Sequence, residues 1–468
     1  MKENAVVKST IWYMICNFIV AGINFIVTPI FTRLMSQEDY GLYSNFTSWI
    51  TIFQIISSLM LLSSFYSAKY DFKEKINEYI SSMIYLGGFF CILLIAGVYI
   101  FRDSFVSFTK IDAQYLPILC LSLLFYPATG FFQLEQRLDY KYKESVFISL
   151  VTVIGTVAGA LILVLTMDNK LWGRIYGSKV PGVVINFFIV IYFIKRAPAI
   201  RTQYWGYALR ISVPFVVHSL GMTVLSSSDR IMITSLCGAK DNSLYSLAYS
   251  CAAVMNMFIS ALSAAIDPWL LESYQAKDDS CKKKMGLISA LVMFGCIGAM
   301  LLAPEILLVM GGEKYLPAIS VMPPIIMGTF FQFLYGIYAN VEQFAKKTSG
   351  MAIATGIAAV ANLGLNYIFI PMVGYKAAGY TTLFCYVLLA IIHVGIVNHI
   401  GGGFLFRTKL NLGMGIFGIL LVLLIEVTYA KEMIRVSLLG IYVLVVIYMV
   451  IRYRKTIMDY LKMILRKN

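Results

Sequence analysis

The sequence predicts an all-α polytopic membrane protein of about fourteen transmembrane helices. Two parallel six-helix repeats would form two lobes, with two further helices after them. Three observations lead there. Hydrophobic residues make up 59% of the 468-residue chain and charged residues 13%, whereas soluble domains hold about 45–50% and about 25%. Apolar runs of about 20 residues, the length that crosses a bilayer as helix, recur from end to end. The chain also repeats itself at an offset near 200 residues.

The runs fall at 10–34, 41–66, 79–101, 114–137, 145–166, 170–194, 208–236, 243–271, 285–309, 318–343, 351–371, 377–398, 409–429 and 434–451. None alternates apolar and polar residues as the strands of a membrane β-barrel would. The first run is too long for a cleaved signal and lacks an A-x-A site, so it reads as a spanning helix. With the N-terminus cytoplasmic, inner loops and tails carry 26 Lys and Arg, outer loops 8, and 4 lie within helices or at their ends. That bias puts both termini inside. The runs Lys282-Lys283-Lys284 and Arg452-Tyr453-Arg454-Lys455 are then topology signals first and lipid-headgroup contacts second. The net charge of +14 follows topology rather than forming a patch, so nucleic acid is not an expected partner.

The repeat is legible residue by residue. Thr32 to Ser44 reads TRLMSQEDYGLYS and Thr234 to Ser246 reads TSLCGAKDNSLYS, 202 positions later. Tyr115-Leu116-Pro117 returns as Tyr315-Leu316-Pro317, and Phe131-Phe132-Gln133 as Phe330-Phe331-Gln332. Helices 1–6 thus map onto 7–12. Six is even, so both copies enter from one side and are related by an axis along the membrane normal. The expected divisions are 1–205 for the first lobe, 206–400 for the second, and 401–468 for helices 13 and 14 with a basic cytoplasmic tail. The substrate site belongs between the lobes near mid-membrane. Pro29, Pro127, Pro181, Pro214, Pro268, Pro304 and Pro323-Pro324 each remove a backbone donor, so kinks are expected near them.

Ser226-Ser227-Ser228-Asp229-Arg230-Ile231-Met232-Ile233 places an acid and a base inside an apolar run. Each costs roughly 2.5–3.5 kcal/mol on insertion scales, so each should face a partner or a water-filled cavity. Four membrane-embedded bases, Arg33, Arg174, Lys179 and Arg230, fall in the outer half and are the candidate substrate-binding residues. Arg33 and Arg174 lie near helix ends, from which a long side chain can reach the headgroups; Lys179 and Arg230 are deeper. Asp229 projects about 100° from Arg230, so its partner must come from another helix, from water or from a proton. An unpaired carboxyl in low dielectric favours its neutral form. Asp229 is therefore a proton carrier that couples transport, or a paired group that locks helix 7.

The remaining acids, Glu135, Asp267, Glu342, Glu305 and Glu426, sit toward helix ends and are expected to be wet. His218 and His393 are expected to be satisfied core residues. Eight cysteines scattered singly argue against disulfides, zinc or an iron–sulfur cluster. No metal-ligand spacing or phosphate-cradling loop is present, and no cofactor is expected. No loop exceeds about sixteen residues, which leaves no room for an ATPase or glycosyltransferase domain, nor for the catalytic outer loop of a membrane polymerase. A transporter is indicated rather than an enzyme.

The stretch Pro29-Ile30-Phe31-Thr32-Arg33-Leu34-Met35-Ser36-Gln37-Glu38-Asp39-Tyr40-Gly41-Leu42-Tyr43 resembles the polysaccharide transporter family, the O-antigen or Wzx-type flippases. Ser228-Asp229-Arg230-Ile231-Met232-Ile233 does so too. That family belongs to the multidrug/oligosaccharidyl-lipid/polysaccharide exporter superfamily. The resemblance implies a V-shaped, two-lobed transporter with a cationic central cavity for pyrophosphate. It would flip undecaprenyl-pyrophosphate-linked oligosaccharide, an O-antigen or capsule repeat unit, across the bacterial inner membrane by alternating access. In the related lipid II flippases helices 13 and 14 help form a groove for the lipid tail. Implied partners are the lipid-linked glycan and membrane lipids, with a polysaccharide polymerase and a chain-length regulator acting downstream. Arg174 and Lys179 match no motif of the family and rest on burial alone. A peptidoglycan lipid II-type flippase and a multidrug antiporter of the superfamily are the alternatives. The buried bases count against the antiporter, whose class prefers cationic substrates.

Overall fold

In a bilayer, apolar segments satisfy their backbone groups as helices or in closed barrels, and the described residues of this chain form helices. The computed structural model describes residues 2–347, 349–452 and 454. The spans are α1 (Lys2–Leu34), α2 (Gln37–Ser58 continued by Leu61–Asp71), α3 (Ile76–Ile100), α4 (Ala113–Leu138), α5 (Tyr142–Thr166), α6 (Lys170–Arg196), α7 (Thr202–Leu236), α8 (Ala239–Ala276), α9 (Cys281–Leu301), α10 (Glu313–Phe344), α11 (Ser349–Val373), α12 (Lys376–His399), α13 (Thr408–Tyr429) and α14 (Glu432–Arg452). Among the described residues 13 helices are long and apolar enough to cross a membrane, or 14 with the bent α2 counted as one span. All fourteen expected runs are thereby matched. Most of the basic C-terminal tail, including Tyr453 and Lys455, lies outside the described residues.

Local chemistry sets the boundaries. The Ser36 hydroxyl accepts the Asp39 N–H at 3.0 Å to cap α2, and Asn169 Oδ1 accepts the Trp172 N–H at 2.9 Å to cap α6. Pro127 starts a new helix within α4. The run expected at 285–309 is divided, because Pro304 opens a separate short helix, Ala303–Gly311, after α9. A short helix at the matching place in the first half, Arg102–Thr109, precedes α4. Pro29, Pro181, Pro214 and Pro268 stay inside continuous helices. The sharpest break has no proline at all: α2 bends by 49° where Leu59 and Met60 take φ of 46° and 50°.

Packing is closest where side chains are smallest. Gly173 and Gly177 of α6 lie against α5: a Cβ at Gly173 would stand 2.7 Å from the Leu163 carbonyl oxygen, and one at Gly177 2.5 Å from Gly159 oxygen. Two backbones meet there as in small-xxx-small membrane contacts. The second half has one continuous core running through α8, α9, α10, α12 and α13, around Met293, Met327, Phe330 and Tyr386. The last two helices are tied on by buried Arg435 of α14, whose Nη1 donates to both Glu305 oxygens at 2.7 and 2.8 Å. Arg435 thus pins α14 to the helix Ala303–Gly311.

The repeat survives as geometry. The α1–α2 turn at Met35-Ser36 and the α7–α8 turn at Cys237-Gly238 occupy matching places in the two copies. Ser44 and Ser246, 202 positions apart, touch Oγ to Oγ at 2.6 Å. A residue meeting its own repeat mate marks the pseudo-two-fold axis. Three of the acids expected to be wet are shielded instead. Glu135 is buried and accepts from Arg196 at 2.8 Å. Glu342 is fully buried against His393, 2.5 Å from its Nδ1. Glu426 is half-buried and accepts from the Tyr380 hydroxyl at 2.5 Å.

Candidate substrate site

The two repeats meet along α2 and α8, at the end of the bundle that the charge bias assigns to the outside. Gly41 makes this meeting possible, because a Cβ there would stand 1.8 Å from the Ala239 carbonyl oxygen. Asn242 Nδ2 donates to the Gly41 carbonyl at 2.9 Å. Around this contact, side chains of one copy bind backbone of the other. Thr32 Oγ1 donates to Met310 oxygen at 2.5 Å, Gln37 Nε2 to Lys314 oxygen at 2.8 Å, and Lys314 Nζ to Met35 oxygen at 3.0 Å. Arg33 belongs to the same latch: it is exposed, and its guanidinium donates to the carbonyls of Pro29 and Val309, both at 2.9 Å. It satisfies the last turn of helix Ala303–Gly311, where a cation is favoured.

The other three bases are carried by α6 and α7. On α6 the glycine face lies on α5, and Arg174 and Lys179 project elsewhere; Lys179 is roughly 200° around from Gly177. Arg174 is half-buried between two rings, with Cζ 3.4 Å from the Phe31 centroid and 4.5 Å from that of Tyr43. Its buried Nε has no hydrogen-bond partner among the described residues. Lys179, also half-buried, lies with Arg174 in electrostatic reach of Tyr43. Arg230 of α7 stands over the Tyr249 ring at 4.4 Å, roughly 9 Å below the end of α7 by helical rise. Among the described residues no ion pair involves Arg33, Arg174, Lys179 or Arg230. Arg174 and Arg230, one from each repeat, are held by aromatic faces rather than by carboxylates.

Asp229 points away from these bases and has no exposed surface. Its carboxylate accepts from the Tyr245 hydroxyl at 2.5 Å, from Asn366 Nδ2 at 2.6 Å and from Thr382 Oγ1 at 2.7 Å. Asn362 extends the network, accepting from Ser228 Oγ at 3.1 Å and donating to Thr382 Oγ1 at 3.1 Å; Thr381 hydrogen-bonds Asn366. Asp229 thus has neutral hydrogen-bond partners from α8, α11 and α12. Asn362 and Asn366 carried a signal in the sequence: two amides four apart share a helix face, and that is unusual in a membrane span. The repeated Leu-Tyr-Ser triplet carried another. Tyr43 meets Arg174, its mate Tyr245 meets Asp229, and the two serines meet each other.

Two cavities open below the bases. One, of about 370 Å³, lies between the repeats and is lined by Asn17, Phe18 and Ala21 of α1 and by Asn256, Met257 and Ser260 of α8. Asn256 also borders a narrow crevice that reaches Tyr249, under Arg230, and Thr382, on Asp229. The other cavity, of about 460 Å³, lies within the first half and shares Asn17. The crevice thus runs from Asn256 to the ring under Arg230 and to a hydroxyl of the Asp229 cage.

Comparison with known proteins bears on this arrangement. The family model described as polysaccharide biosynthesis protein matches residues 6–274, and the MatE model matches residues 214–368. Protein 1 of the Lsg locus of Haemophilus influenzae is 21% identical over 280 residues, which is 58% of this chain and 67% of that protein. Among solved structures, the lipid II flippase MurJ in an inward closed conformation superposes with a TM-score of 0.71 at 16% identity, covering 96% of this chain and 100% of its own. An inward-facing multidrug resistance MATE family transporter of the MOP superfamily gives 0.58 at 12% identity, over 87% and 95%. At these identities the structural likeness establishes fold. The family model covers more than half of the chain, and the chain belongs to the polysaccharide biosynthesis protein family.

Proposed function

We propose that this protein is a flippase for undecaprenyl-pyrophosphate-linked oligosaccharide, an O-antigen or capsule repeat unit. It carries the lipid-linked glycan from the cytoplasmic to the outer leaflet of the bacterial inner membrane, with both termini cytoplasmic. The observation that carries this reading is the set Arg174, Lys179 and Arg230: half-buried cations from both repeats without a carboxylate partner. Unpaired charge is costly in a partly dehydrated cavity, so the set calls for an anionic ligand. A diphosphate fits, and guanidinium is suited to bidentate phosphate contact.

In this reading the lobes 1–205 and 206–400 rock about the α2–α8 contact. The latch of Thr32, Arg33, Gln37 and Lys314 is closed while the cavities below it admit substrate from the inner side. Opening the latch frees Arg33, which then joins the other bases at the diphosphate. Asp229 is the coupling group, gaining a proton or exchanging hydrogen-bond partners as α7, α8, α11 and α12 rearrange. Helices α13 and α14 bound the path of the lipid tail, and a polymerase and chain-length regulator take the delivered glycan. The likeness to a lipid II flippase supports a second reading with the same diphosphate and a peptidoglycan precursor as glycan.

Surface glycan display tests the proposal. Arg230→Ala and Lys179→Ala are each expected to reduce display severely with normal amounts of protein in the membrane. Arg230→Lys is expected to recover only part, because the charge returns without the fork. Full display by both alanine variants would contradict the diphosphate site.

A further inference from the structure

The cavity within the first half is unlike the basic site above it. It forms where α2 breaks at Leu59-Met60, and α1, α4 and α5 close around the break. Its volume of about 460 Å³ falls within the range of small-molecule sites, about 300–1,000 Å³. The lining sets polar groups among apolar ones such as Met60, Leu62 and Leu134 and holds no carboxylate: Tyr13, Asn17, Ser63, Gln133, Arg137 and Ser149 supply hydroxyls, amides and one guanidinium. The groups are positioned. Arg137 Cζ stands 5.2 Å from the Tyr13 ring centroid. Gln133 Nε2 donates to Ser149 Oγ at 3.0 Å, and Ser149 in turn donates to the Ser145 carbonyl at 2.9 Å. The Tyr13 hydroxyl is buried with no partner among the described residues, a costly state that a ligand would relieve.

We propose that this cavity is a sugar-ring subsite, and that it holds a hexose of the glycan distal to the diphosphate. A pyranose offers what these walls complement: hydroxyls for the amides and serines, and an apolar ring face for Tyr13. Arg137 favours a sugar with an acidic or strongly electron-rich substituent. Distance makes the ring a distal one. Phe31, which packs on Arg174, and Tyr13 are eighteen residues apart on α1, about 27 Å by helical rise. The cavity therefore reads part of the glycan that the basic site cannot touch, which makes it a specificity element. It also adjoins the other repeat, because Ser63 Oγ lies 3.3 Å from Ser212 Oγ of α7.

The subsite rests on the flippase reading, and a thermal-shift experiment on the purified full chain separates the two. The probes are methyl glycosides of glucose, galactose, N-acetylglucosamine and glucuronic acid, with farnesyl pyrophosphate as an independent diphosphate probe. At least one glycoside should raise the wild-type Tm, the shift should vanish in Gln133→Ala and Arg137→Ala, and the farnesyl pyrophosphate shift should persist in both. Arg230→Ala should do the reverse. Tyr13→Phe keeps the ring and guards against misfolding; it should weaken the glycoside about three- to tenfold, as loss of one hydrogen bond does. If no glycoside shifts the wild type, or the variants respond as wild type does, the subsite is overturned while farnesyl pyrophosphate binding keeps the diphosphate reading. If the glycoside binds as expected and farnesyl pyrophosphate does not, the subsite stands and the diphosphate reading falls.

Discussion

Asp229 and Arg230 are neighbours in the chain with opposite fates. Arg230 turns to the Tyr249 face beside the crevice, and Asp229 turns into a cage of hydroxyls and amides. The 100° between successive helical residues is enough to send the two charges to different surroundings. The helical spacing already sent the two in different directions; the partners of Asp229 were not legible, because the cage is assembled from α8, α11 and α12. The cage also makes a prediction. Thr382→Val removes one donor and strands a buried carboxylate oxygen, at a cost of about 1–3 kcal/mol, and should lower thermal stability. Asp229→Asn keeps the volume but cannot lose or gain the proton, so transport should lose its pH dependence between about pH 5.5 and 8. A wild-type pH profile in Asp229→Asn would reduce the residue to a structural pin.

At the scale of elements, the helices were legible because a bilayer demands about 20 apolar residues per crossing, and the run lengths met that demand. The breaks were less so. Pro127 and Pro304 divide their spans for a reason visible in the sequence, the missing N–H. The α2 break at Leu59-Met60 has neither glycine nor proline; tertiary contact holds two left-handed residues there. The four bases were legible as isolated charges. That Arg33 binds carbonyls across the repeat while Arg174 lies between rings depends on neighbours far away in sequence. The α2–α8 contact is where an element-level test is sharpest. Ser44 and Ser246, 2.6 Å apart between oxygens, should form a disulfide as Ser44→Cys with Ser246→Cys. Glycan display should then stop under oxidation and return with reductant. Unimpaired display by the cross-linked protein would mean that the contact never opens.

For the molecule as a whole, the duplicated architecture explains why the half-buried bases come from both halves. A site on a pseudo-two-fold axis is built from equivalent elements that have since diverged. Tyr43 under Arg174 and Tyr245 on Asp229 are the clearest case, one repeat position packing against a half-buried base in one half and a buried acid in the other. The glycan remains a matter for direct assay. In proteoliposomes loaded with an undecaprenyl-pyrophosphate-linked fluorescent sugar, an impermeant quencher reports how much substrate has reached the outer leaflet. Wild-type protein should speed its arrival, and Arg230→Ala reconstituted at equal density should return the rate to that of protein-free vesicles. Equal rates for the wild type, the variant and empty vesicles would contradict the claim that this chain moves a diphosphate-linked glycan through its basic site.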